Sequence, residues 1–220
     1  MPLKNFLLDL FFPLNCLGCG APGVRLCEKC FRRLKFTDKK YDLKTPALDK
    51  LFIAGDYDEP LLAELIKKFK FQPLADLGEP LARFLSLFWT GASFALDGLN
   101  ASNQTEPILV IPIPLSRRRE RWRGFNQAEK LARPLAEHFD YELNRNLKRQ
   151  THSAPQSSLG ERERAQNIKD VFAWRGLSLK NRSVILIDDV ATTGATLNEA
   201  GQILREAGAA QVYGLVLAKG

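Results

Sequence analysis

VILIDDVATTGATL, running from Val184 to Leu197, is the stretch on which the fold turns. Val184 to Ile187 is a short β-branched run of the kind that fills a fully buried strand. Two adjacent carboxylates, Asp188 and Asp189, close it. A loop of small residues follows (Val190, Ala191, Thr192, Thr193, Gly194, Ala195, Thr196), and a helical pattern then runs from Leu197 to about Ala207. Strand, acids, small-residue loop and helix start together describe an anion cradle at the carboxyl end of a strand. Backbone N–H groups and the positive helix end there face outward toward a phosphate. Gly194 permits close backbone approach, and the threonine hydroxyls add donors.

Carboxylates beside a phosphate repel it unless they serve another part of the ligand. Sugar hydroxyls or a magnesium-bearing group suit them. This stretch contains no GxxxxGK[ST] and no GxGxxG. A core strand leading into a capped helix is the plain alternative, but a cap needs only one of these residues. The stretch resembles the phosphoribosyl-pyrophosphate (PRPP) motif of type I phosphoribosyltransferases. That resemblance implies ribose 2′- and 3′-hydroxyls on Asp188 and Asp189, and a 5′-phosphate wrapped by the TTGAT loop.

Outward from this motif, the composition is that of a soluble globular chain: 220 residues, 45% hydrophobic and 26% charged. A net charge of +7 favours anionic partners, whether phosphorylated metabolites or nucleic acid. Phe6–Leu14 is apolar, but Asp9 interrupts it and no small-residue cleavage site follows. It is too short for a membrane span and reads as an amphipathic helix packed on its own chain. The expected location is cytoplasmic.

The four cysteines form two CxxC pairs, Cys16/Cys19 and Cys27/Cys30, with seven residues between the pairs. Each pair has the spacing of a knuckle that offers two thiolates to one tetrahedral metal. Structural Zn(2+) is the expectation, with a redox role or unmetallated thiols as alternatives. Four thiolates would close the coordination shell, so such a zinc folds the module without catalysing anything. The expected organisation is a zinc-ribbon-like module over 1–45 and an α/β domain over 46–220. Residues 36–50 read as a polar linker.

Leu51–Tyr57 reads as a strand and Pro60–Phe71 as an amphipathic helix, with Lys67, Lys68 and Lys70 off its apolar face. Those lysines read as a solvated face or a DNA-facing strip. A second helix is expected over Leu74–Phe88, and a surface loop over Gly91–Glu106. Ile108–Pro114 is another buried strand, followed by Ser116 and five arginines: Arg117, Arg118, Arg119, Arg121 and Arg123. Arginine grips phosphate oxygens in bidentate fashion. The run suits a pyrophosphate, or a nucleic-acid backbone with Trp122 and Phe125 as stacking surfaces. A helix is expected from about Gln127 to His138, and a strand over Tyr141–Leu147. The polar segment 148–167 suits a flap over a phosphorylated ligand, or a plain surface hairpin. His138 and His152 have no catalytic company, so no nucleophilic triad is available. Gln211–Ala218 completes an alternating β/α series with a mostly parallel sheet.

Taken end to end, the chain resembles the ComF family, the competence-associated proteins similar to phosphoribosyltransferases. Leu7–Pro13, the paired CxxC knuckles, PIPLSRRRERWRGFNQAEKLA, the positions Gln156, Leu159, Arg164, Asn167 and Phe172, and IDDVATTGATL carry the resemblance. It implies a Rossmann-like type I phosphoribosyltransferase fold with a small zinc-binding module in front. It assigns the PRPP phosphate to Thr192–Thr196, and the ribose and its developing positive charge to Asp188 and Asp189. Pyrophosphate falls to Leu115, Ser116, Arg118 and Arg119, with Mg(2+) travelling with PRPP. The family's link to natural transformation implies single-stranded DNA as a partner, with Arg117, Arg121 and Arg123 facing it, and other DNA-processing proteins beside it. Ser153 and Asp170 depart from the family pattern in the flap. A phosphoribosyl transfer to an acceptor not legible here, with pyrophosphate release, is the leading expectation. A catalytically silent DNA-binding or regulatory module on the same fold stays open.

Overall fold

The computed structural model describes residues 14–72, 74–93, 107–150 and 171–220. The expectations for Phe6–Pro13, for most of the 91–106 loop and for the flap with His152, Ser153 and Asp170 therefore lie outside the described residues.

Five strands form one parallel sheet in the order β1-β7-β6-β2-β3. They are β1 (Lys50–Asp56), β2 (Leu109–Pro112), β3 (Glu142–Leu143), β6 (Ser183–Ala191) and β7 (Gln211–Lys219). A separate antiparallel pair joins β4 (Leu147–Arg149) to β5 (Phe172–Trp174). The expected strand over Tyr141–Leu147 is thus two short pieces belonging to different sheets. β6 is the central strand and is buried on both faces through Ile187, as its aliphatic run requires. It continues past the acid pair to Ala191, where the sequence pattern places its end at Ile187.

One face of the sheet is covered by α2 (Pro60–Phe71), α3 (Gly78–Ser93) and α5 (Gln127–Phe139), and the other by α6 (Ala195–Glu206). α2 begins with Pro60 at its first position, and Glu59 accepts from the N–H groups of Leu61 and Leu62. It buries Leu62, Leu65, Ile66 and Phe69 at helical spacing. The second helix starts later than its periodicity suggests, because a 3-10 turn over Ala75–Leu77 precedes α3. Trp89 of α3 and Phe69 of α2 are fully buried, each contributing about 1.5–3 kcal/mol from apolar burial.

The arginine run is helical, as α4 (Arg117–Arg123), with the Ser116 hydroxyl accepting from Arg119 N at 3.3 Å. Near the N-terminus, α1 (Glu28–Phe31) carries Phe31 into the main core, and Leu17, Leu26 and Leu34 pack beside it. Arg83 of α3 clamps this module. It donates to Glu28 at 2.7 and 3.2 Å and lies 4.1 Å over the Phe31 ring. A groove of about 760 Å³ runs along this docked face, between Leu26, Asp76, Leu87 and His138, away from the acid pair.

The segment expected as a linker is held at both ends. Thr37 and Tyr41 donate to Asp56 at the end of β1. Further on, Ala47 N donates to Asn198 of α6 at 2.9 Å. No helix among the described residues is long and apolar enough to cross a membrane.

Candidate functional site

In a parallel α/β sheet, ligands bind beyond the carboxyl ends of the strands. Asp188 and Asp189 lie there on the central strand, which runs on through Val190 to Ala191, and α6 starts four residues later at Ala195. The loop between them curls because Gly194 takes φ +78°, a left-handed conformation. Thr192, Thr193, Ala195 and Thr196 are exposed. Ala195 N donates to the Thr193 hydroxyl at 3.3 Å, and no acid stands in the first turn of α6. The positive helix end is therefore not cancelled by a neighbouring carboxylate.

Strand alternation separates the two acids. Ile185 and Ile187 face the core shared with α2 and α5, and Asp189 falls on that same face. There it meets Lys70, whose ammonium stands 3.0 Å from Asp189 Oδ1, with both side chains largely buried. Lys70 thus differs from the solvated-face reading; it ends α2 against the acid pair. Asp188 accepts from Asp189 N at 2.8 Å. Burial and then the neighbouring Asp189 charge push its carboxyl up to about 7, against the pull of Lys70 and Arg123.

The arginines divide. Arg117, Arg118, Arg119 and Arg121 are exposed along α4, while Arg123 is half-buried. Burial lowers the Arg123 pKa, and the charges of Asp189 and Asp188 oppose that shift. Arg123 donates to Gln127 at 2.9 Å and lies 5.8 Å from the Phe71 ring. Arg123, expected among the DNA-facing arginines, is thus less exposed than the other four and within electrostatic reach of Asp189 and Asp188. Trp122 is 64% exposed, but its aromatic neighbour is Phe71, also exposed, at 6.3 Å. Phe125, expected as the second stacking surface, packs inward on Phe69 at 5.4 Å. Leu115 and Ser116 are half-buried at the end of β2, leading into α4.

Arg149 also belongs here and has no signal in the sequence beyond its charge. Burial lowers its pKa, and Asp188 and Glu199 hold it up. The Phe172 ring lies 5.4 Å from its guanidinium.

The cysteine cluster is a second candidate site. Sulfur atoms of Cys16, Cys19, Cys27 and Cys30 all lie within 4.8 Å of one another. Cys27 N donates to Cys16 Sγ at 3.3 Å, the backbone-amide-to-sulfur contact expected of a metal knuckle. A Cβ on Gly18 would stand 2.7 Å from Cys30 Sγ, so glycine is required for the turn to close over the sulfurs. Four sulfurs this close fit one tetrahedral ion.

A family model described as a phosphoribosyl transferase domain matches residues 122–220. The chain is 36% identical over 209 residues to competence protein F of Haemophilus influenzae, covering 92% of this chain and 84% of that one. It is 31% identical over 201 residues to the DNA utilization protein YhgH of Escherichia coli K12, covering 90% and 80%. Among solved structures, the glutamine PRPP amidotransferase of B. subtilis superposes with a TM-score of 0.45 at 15% identity, over 69% of this chain and 30% of that one.

Proposed function

The chain belongs to the ComF family of competence proteins and carries a phosphoribosyltransferase-type domain, and from that premise we propose that it binds PRPP with Mg(2+) and transfers its phosphoribosyl group. The observation that carries the proposal is the acid pair on the central strand, set directly before an exposed loop and an uncancelled helix N-terminus. In this reading the loop amides and hydroxyls of Thr192–Thr196 take the 5′-phosphate. Asp188 and Asp189 accept from the ribose hydroxyls. Leu115, Ser116, Arg118 and Arg119 border the departing diphosphate.

In the transfer, the C1–O bond to diphosphate breaks and the electron pair leaves with that oxygen. The acceptor's nucleophile then bonds to C1 and gives up its proton. The carboxylates stabilise the cationic ribose, and the arginines stabilise the leaving anion. Magnesium arrives with the ligand and supplies counter-charge. The cysteine module over 1–45 holds Zn(2+) through Cys16, Cys19, Cys27 and Cys30 and serves as a structural appendage to the domain over 46–220.

Single-stranded DNA is the proposed macromolecular partner, on the exposed Arg117 and Arg121 with Trp122 stacking on bases. This is also the surface that a catalytically silent member would use, alongside other DNA-processing proteins. Calorimetry with Mg·PRPP tests the central claim, together with an assay for diphosphate release in the presence of single strands and free bases. Heat with PRPP that is lost in Asp188→Asn/Asp189→Asn supports the site. Heat without diphosphate release favours the silent form, and no heat at all overturns the reading.

A further inference from the structure

Lys70 reaches the acid pair from outside the strand–loop motif, Arg123 lines a small cavity with it, and one buried amide ties the two together. Gln127, at the start of α5, is 1% exposed. Its Nε2 donates to the carbonyl of Phe69 at 3.4 Å, one residue before Lys70, and its Oε1 accepts from Arg123 at 2.9 Å. The end of α2 and the end of α4 are thereby tied together beside Asp189. Arg123 Nε is buried and has no hydrogen-bond partner among the described residues. The protein therefore leaves this guanidinium short of acceptors.

Lys70 carries a compact charge on a flexible stem, so it can exchange partners without moving its helix. Its present partner is Asp189, the same carboxylate that the ribose reading assigns to a hydroxyl. A ribose with its 5′-phosphate on the Thr192–Thr196 loop and its hydroxyls on the acids turns C1 away from that loop. The Lys70 and Arg123 side lies opposite the loop, on the α2 and α5 face of the sheet.

We propose that Lys70 and Arg123, held through Gln127, form a clasp for the 1-diphosphate of the ligand, with Lys70 passing from Asp189 to the diphosphate as the ribose hydroxyls take its place. The inference rests on the proposed PRPP reading and deepens it, because it makes Lys70 the residue that selects a 1-diphosphate over ribose 5-phosphate. The clasp draws on α2, outside the segment that follows β2.

The test is calorimetry of wild-type protein, Lys70→Met and Lys70→Arg with three probes: Mg·PRPP, Mg·diphosphate and ribose 5-phosphate. Lys70→Met is expected to lose at least about tenfold for the first two, as a charged hydrogen bond is worth, with ribose 5-phosphate unchanged or tighter. Lys70→Arg should restore part of that loss. Equal weakening toward all three probes, or none toward any, overturns the clasp while leaving the PRPP reading intact. Wild-type protein that binds none of the three overturns both.

A second measurement needs no variant, and so survives a misfolded one. Acylation of Lys70, read by mass spectrometry, should be faster with ribose 5-phosphate bound, because the ammonium is then released from Asp189. It should be slower with Mg·PRPP. The same rate under both ligands overturns the proposal.

Discussion

The Thr45 methyl stands 2.6 Å from where a Cβ on Gly194 would lie. The segment leading out of the cysteine module therefore packs directly on the loop proposed to hold phosphate. Gly194 is constrained twice, by this neighbour and by its left-handed backbone. Gly194→Ala should destabilise the protein by about 1–2 kcal/mol from the backbone alone, and more from the contact. Thr45→Ala should recover the contact share only. Thermal unfolding of both single variants and the double variant checks this. Additive effects would show that the strap and loop do not touch in solution.

Asp188 makes stability depend on pH in an unusual direction. Its folded pKa of about 7 lies above the usual carboxyl value. Between about pH 4 and pH 7 the native state thus keeps a proton that the unfolded chain has lost, and stability falls as pH rises across that window. Asp188→Asn should remove this slope and stabilise the protein at pH 8 by an amount on the order of 1 kcal/mol, since partial solvation and the nearby cations limit the strain. The same titration should make PRPP binding tighten from pH 6 to pH 8, as the carboxylate becomes free to accept from ribose. Denaturant melts and calorimetry at several pH values measure both effects.

Metal should be inseparable from the fold of the cysteine module. One zinc per chain is expected in freshly purified protein, and chelation should lower the melting temperature. Gly18→Ala places a methyl 2.7 Å from Cys30 Sγ and should weaken metal affinity about tenfold or more. Because Phe31 reaches from this module into the main core, the loss should register in global unfolding. Metal analysis and thermal melts decide the matter, and a metal-free wild-type protein would defeat it.

Single-stranded DNA should bind through exposed groups whose replacement leaves the stability of the free protein unchanged. Trp122→Ala is expected to weaken binding by about 1–3 kcal/mol, the worth of a stacked base. Arg117 and Arg121, where each meets a phosphate, should reduce the salt slope by about 0.7 when replaced by alanine. Trp122 is 64% exposed, so its melting temperature should match that of wild type. Titrations of a labelled oligonucleotide at several salt concentrations test this. An unchanged slope would remove α4 from the DNA surface.

What the sequence by itself determined is whatever a run of neighbouring residues can encode. The buried strand, its two acids, the threonine–glycine loop and the following helix are all legible within VILIDDVATTGATL, and α2 spans the very residues its periodicity predicts. The CxxC spacing likewise foretold four sulfurs in one place. Tertiary structure alone decided what faces the acids. Lys70 stands one residue past Phe69, off the apolar stripe, and reads as solvated until the last turn of α2 is brought against Asp189 of β6. Gln127 reads as an ordinary helix-start residue until two helix ends meet at its amide, and Arg123 is indistinguishable from its four exposed neighbours. Local patterns record the backbone's preference and which face is apolar. The partner of a charge is set by strand order and helix packing, which join residues far apart in the chain.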